Sequence, residues 1–193
     1  MAADRIAVSD ALRDHLKDLA GLRPLADAAV VFFNRQFDAD ASSITLMRGG
    51  WFRTLVTVDD VRPDEVRHPD GQTYPVETYP TVARVLAGGG GYVSSIGNDG
   101  GIPESQRFLE DFQKVTCIGV PIVYAGESVG EVFVSRGPGR AHYTGRELAT
   151  ALDLARQLGL RIGPGMRAQD EVNVGWWPVD QRDGPSAEAA PSA

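Results

Sequence analysis

A chain of 193 residues with a net charge of −7, 42% apolar and 23% charged residues, has the composition of one ordinary globular domain with a real core. The acidic balance, with no cluster of Lys and Arg, excludes a generic nucleic-acid binder, which has to neutralise phosphates. Cys117 is the only cysteine, which excludes an intramolecular disulfide and a Cys-rich metal site. The opening MAADRIAVSD lacks the basic and apolar regions of a signal peptide, and no apolar run approaches the length of a membrane span. The expectation is a cytoplasmic protein with no membrane contact.

In chain order, residues 9–20 read as an amphipathic helix, with Leu12, Leu16 and Leu19 at helical spacing and Ser9 as N-cap. Gly21 stops it, and Pro24 opens a second helix to about Phe37 from within its first turn. Two β-branched strands follow at 43–47 and 52–58, joined by a turn at Arg48-Gly49-Gly50-Trp51. Residues 59–78 read as one long polar loop of the kind that often covers a site. A short helix over 79–86 ends at the glycine run 88–91. A strand over 92–96, a glycine-rich loop and a helix over 103–114 come next. Residues 116–124 and 128–135 form a hairpin around Ala125-Gly126-Glu127. The last helix starts on a capping box of Thr144 and Glu147 and buries Leu148, Ala151, Leu152, Ala155 and Leu158. Beyond Arg161 the composition turns to Gly, Pro, Ala and acid. This divides the chain into a domain over 1–162 and a tail over 163–193.

This order of elements resembles the GAF domain family. Thr116-Cys117-Ile118-Gly119-Val120-Pro121-Ile122, Val129-Gly130-Glu131-Val132-Phe133 and Tyr143-Thr144-Gly145-Arg146-Glu147-Leu148 carry the likeness, with Tyr79 to Leu86 before the glycines. The resemblance implies an α/β fold of the α+β type, with a mainly antiparallel sheet of five to six strands. It places terminal helices on one face, often pairing in dimers, and a small-molecule pocket on the other. Members sense small molecules or hold haem or bilin, usually beside a signalling output, and one branch reduces free methionine sulfoxide.

Candidate pocket residues under that resemblance are Trp51, Tyr79, Tyr92, Ser94, Phe108, Phe112, Cys117 and Phe133, with Ser95 beside them. Cys117 itself reads as a buried, inert thiol in an apolar strand. One cysteine cannot form and resolve an internal disulfide, so the reductase branch is disfavoured. The Cys-His context of bilin attachment is missing, and His142 reads as a solvent-facing loop residue, so there is no haem or bilin signature. The cofactor is unknown. His15, His68 and His142 are scattered and make no metal site. The glycine run 88–91 lacks the strand-to-helix context and the Lys-Ser/Thr of a phosphate loop. The cyclic-nucleotide signature is not matched either. Glu131 is expected to pair with Arg156 or Arg161 of the last helix, with a ligand anchor as the other reading. Trp176 and Trp177 are costly to leave in water, so they dock on this domain or on another protein.

No catalytic motif stands out, so the expectation is a non-enzymatic sensory domain that binds an unidentified small molecule. Its signal would pass to a signalling protein or through a homodimer of the terminal helices. The alternative is an interaction or dimerisation module whose pocket is filled by its own side chains.

Overall fold

The computed structural model describes residues 2–59, 62–67, 73–97 and 101–172. Two helices come first, α1 (Ala2–Leu16) and α2 (Leu22–Gln36). The expected Ser9 cap lies inside α1, because the Ala-rich segment before it has enough helix propensity to extend the helix backwards. At its other end, Arg161 Nη2 donates to the carbonyls of Leu16 and Leu19, a cation placed on the negative end of a helix.

Strands β1 (Ala41–Arg48) and β2 (Trp51–Asp59) pair across a two-residue turn. That turn requires positive φ at both positions, and Gly49 and Gly50 supply it at 53° and 83°. The expected loop over 59–78 is corrected in part. Residues Arg62–Arg67 (β3) and Thr73–Pro75 (β4) both add to the outer edge of β2, and a turn of 3-10 helix covers Val76–Thr78. Helix α3 (Pro80–Ala87), strand β5 (Tyr92–Ser95) and helix α4 (Pro103–Asp111) then lead to the long hairpin of β6 (Thr116–Tyr124) and β7 (Glu127–Arg136).

All strand pairs are antiparallel, in the order β3-β2-β1-β7-β6-β5, with β4 sharing the β2 edge. This is the α+β architecture expected from the resemblance. Alternation along the strands gives the sheet two apolar faces. Ile44, Leu46, Ile118, Val120, Val132 and Val134 pack beneath the helices. Phe52, Tyr92 and Cys117 join Val82, Leu86 and Leu109 on the opposite side, under α3 and α4.

The last helix, α5 (Gly145–Val172), runs further than expected. It begins on the expected capping box: the Thr144 amide and hydroxyl donate to Glu147 Oε2, and the Glu147 amide donates to Thr144 Oγ1 at 3.3 Å. Its buried stripe is Ala151, Leu154, Ala155, Leu158, Ile162 and Met166, with the expected Leu148 and Leu152 half-buried against the same core. Gly163-Pro164-Gly165 looks like a terminator but lies inside the helix. A Cβ at Gly163 would collide with the Tyr124 side chain, so the glycine is there for close packing. The other Glu147 oxygen accepts from Arg136, whose guanidinium also donates to Phe37 O and Ala141 O and stacks 3.9 Å from the Tyr143 ring. This buried cation locks the ends of α2 and β7 to the start of α5. No helix among the described residues is long and apolar enough to cross a membrane.

Candidate functional site

Between the sheet and the pair α3 and α4 lies a cavity of about 120 Å³. Its floor is the inward face of three strands: Ser43 and Thr45 of β1, Phe52 of β2, and Glu131 and Phe133 of β7. Tyr92 of β5 and Tyr74 of β4 stand at opposite sides. Tyr79, Val82, Glu104, Ser105 and Phe108 come from the covering helices and the residue before α3. A space of this size exceeds by several-fold the roughly 10–15 Å³ that one water needs.

The rings are held in place by each other and by hydrogen bonds. Phe52 and Tyr74 both meet Tyr79 edge-to-face, at 6.3 and 5.9 Å between centroids, and Phe108 meets Phe133 edge-to-face at 5.0 Å. The Tyr74 hydroxyl is bound to Thr54 Oγ1 at 2.6 Å. Helix α3 is tied to β7 by Ser128 Oγ, which donates to Leu86 O at 2.6 Å, and to α4 by the Thr81 amide, which donates to Glu104 Oε1 at 3.0 Å.

Glu131 dominates the electrostatics. Only 8% exposed, it accepts a 2.9 Å hydrogen bond from the Tyr92 hydroxyl, its partner among the described residues. Burial pushes its carboxyl up to about 7, and the Tyr92 bond offsets only part of that cost. Burial first, and then the negative field of Glu131, push the Tyr92 phenol well above its ordinary range. Glu104 behaves oppositely. Burial opposes its charge, but the hydrogen bonds it accepts and the nearby Arg84 outweigh that and hold its carboxyl below the usual range.

Of the residues expected from sequence, Tyr79, Tyr92, Phe108 and Phe133 line this cavity together. The others are placed elsewhere. Trp51 precedes the lining residue Phe52 and alternation turns it to the other face, while Phe112 lies past the end of α4, 62% exposed and stacked on the outside of Phe108. Ser94 accepts from the Ile102 amide, and Ser95 pairs with Thr116. Cys117 is fully buried in the apolar cluster beneath the cavity, its thiol pushed up to about 12 by burial and by Glu131. The Glu131 pairing is also corrected. Arg161 caps α1, Arg156 bonds Asp153, and Glu131 lies on the sheet face away from both. Trp176, Trp177 and His68 lie outside the described residues. Sequence reasoning missed Ser43, Thr45, Phe52, Tyr74, Val82, Glu104 and Ser105 as lining. Alternation from Phe133 and Glu131 through the β1 register would have found Ser43 and Thr45, which face them directly.

A curled antiparallel sheet with helices on one face and a lidded cavity on the other now stands beside a direct family match. The GAF domain model matches residues 21–162. The chain belongs to the GAF domain family. Among curated proteins no sequence matches it. Solved structures match the fold of this GAF domain across nearly its whole described length. The phycoerythrobilin-bound GAF domain of a cyanobacterial phytochrome aligns with a TM-score of 0.66 at 12% identity, covering 88% of this chain and 100% of that one. The GAF domain of a phosphoenolpyruvate-protein phosphotransferase from Coxiella burnetii gives 0.62 at 15% identity, covering 88% and 98%. The chromophore-binding domain of a bacteriophytochrome from R. palustris gives 0.65 at 14% identity over 86% of this chain, which spans 63% of that longer one. In phytochromes and other signalling proteins the GAF domain is a sensory, ligand-binding unit.

The residues here do not fit a bilin. A thioether link needs a reachable thiolate, whereas the Cys117 thiol is buried, kept protonated and outside the cavity lining. No histidine lines the cavity, so no described residue offers haem an imidazole there.

Proposed function

We propose that this GAF domain senses a small molecule held between the sheet and helices α3 and α4, and passes occupancy to a partner protein or a second copy of the chain. The observation that carries this reading is the cavity itself. Residues from five strands and two helices converge on about 120 Å³ of open space that their own side chains leave unfilled. A module with a self-filled pocket would close that space, because interiors otherwise pack to crystal-like density. A concave chamber lined by aromatic and apolar side chains with a few convergent polar groups is the usual form of a ligand site. Signal output requires that the ligand bind the two output states with different affinity.

Native mass spectrometry of the full chain as purified tests the reading. The expected result is a discrete small-molecule adduct that denaturation releases, and a change in oligomer distribution when it is stripped. Val82→Phe, which adds a ring where the cavity lies, should lose the adduct while keeping a cooperative melt. A ligand-free species whose melting temperature no metabolite raises would overturn the proposal.

A further inference from the structure

We propose that the pocket takes a small organic cation, an alkylammonium or protonated amine, boxed by aromatic rings and neutralised by the carboxylates of Glu131 and Glu104. This rests on the sensor reading and names its ligand class. Two carboxyl groups line the cavity, and no Lys, Arg or His is among its lining residues. Glu104 Oε1 accepts from the Thr81 amide, but its Oε2 is buried with no hydrogen-bond partner. Glu131 has the Tyr92 phenol and no cation. Glu104 already has several hydrogen bonds and the field of Arg84, but Glu131, buried with one neutral donor, is under-compensated, and a charge in such a place is retained where something pairs with it. Here the missing partner has the sign of a cation. Anionic ligands would meet two like charges at close quarters.

The rest of the wall has the chemistry of a cation box. Phe52, Tyr74, Tyr79, Tyr92, Phe108 and Phe133 surround the space, and the quadrupole of each ring attracts positive charge to its face. The phenols of Tyr74 and Tyr92 are already engaged, by Thr54 and Glu131, so these side chains meet a ligand chiefly as rings. A shell of six aromatic rings and three hydroxyl side chains around two carboxylates selects an ion that carries its charge on a compact, alkylated or chain-terminal nitrogen. A strongly hydrated metal ion would gain little from the rings.

The test is calorimetric titration of the full chain with choline, and with neohexyl alcohol, in which carbon replaces the charged nitrogen at equal shape. Choline is expected to bind about tenfold or more tighter than the alcohol. Glu131→Gln keeps the shape and the acceptor for Tyr92 and should erase that preference without lowering the melting temperature. Glu104→Gln should reduce it as well. Equal binding of choline and the alcohol, or choline affinity untouched by both substitutions, overturns the cation inference and leaves the sensor reading standing. An anionic or neutral co-purifying molecule does the same. If neither probe binds and the purified chain carries no small molecule, both readings fall.

Discussion

Glu131 holds a proton more tightly in the folded protein than in the unfolded chain, and this has a sign that can be worked out. Its carboxyl is raised from 4.5 to about 7, so between those values the native state keeps a proton that the unfolded state releases. The stability linked to it is fully present below 4.5 and is lost as pH rises through about 7, a swing of roughly 3 kcal/mol. Glu131→Gln removes the titration and keeps the Tyr92 bond. Thermal melts should therefore superimpose for the two proteins at about pH 4, with the variant melting several degrees higher at about pH 8. A variant less stable than its parent at the higher pH would show that the carboxylate is satisfied by something other than Tyr92. At this scale the sequence was legible to within one residue and one face. Alternation puts Glu131 on one face with Phe133, as found, but a strand pattern does not say which of its faces the helices cover. Val132 and Val134 turned out to be the covered pair. The same one-residue slip separates Trp51 from the lining residue Phe52.

Among the elements, those whose signals are local were read well. The β6–β7 hairpin has its turn residues and apolar runs in sequence, and the capping box at the start of α5 is complete in Thr144 and Glu147. Thr144→Ala removes the acceptor for the Glu147 amide and loosens a carboxylate that also binds Arg136. The expected cost is about 1 kcal/mol, read in urea as a lower midpoint with an unchanged slope. Elements built from backbone contact left no such mark. Strands β3 and β4 are polar, contain proline and attach to an edge through a few pairs only. The extension of α5 was hidden because Gly163-Pro164-Gly165 carries the composition of a stop, whereas its glycines answer to packing against Tyr124 and Leu22. Met166 gives a direct test of that extension. It is fully buried and lies over Gly130, where a Cβ would meet its Cε. Met166→Ala should cost about 2–4 kcal/mol in chemical denaturation, whereas a tail residue would cost nothing measurable.

On the scale of the whole molecule, the sheet is a single layer with different business on its two faces. Strands β1 and β7 run antiparallel through its centre, with Ser43, Thr45, Glu131 and Phe133 towards the cavity and Ile44, Leu46, Val132 and Val134 towards the helices. An occupant of the cavity therefore presses on strands whose reverse side supports α2 and α5. The family order and two-faced plan were legible because hairpins and caps are short-range features. The charge of the cavity was not, since Glu104 and Glu131 are brought together only by the fold. That charge makes binding pH-dependent in a definite direction. Tetramethylammonium does not titrate, so its affinity reports the site alone. The titratable groups that bear on Glu131 are Tyr74, Tyr92 and Cys117, all pushed up and neutral near pH 7, and Glu104 across the cavity, held low and ionised. Over about pH 5 to 8 the change in charge therefore belongs to Glu131, and deprotonation adds the attraction a cation needs. Affinity for tetramethylammonium should rise about tenfold across that range, and the rise should vanish in Glu131→Gln. Because linkage is reciprocal, the probe should also raise the melting temperature more at the upper pH than at the lower. A flat or falling profile would place the cation away from Glu131.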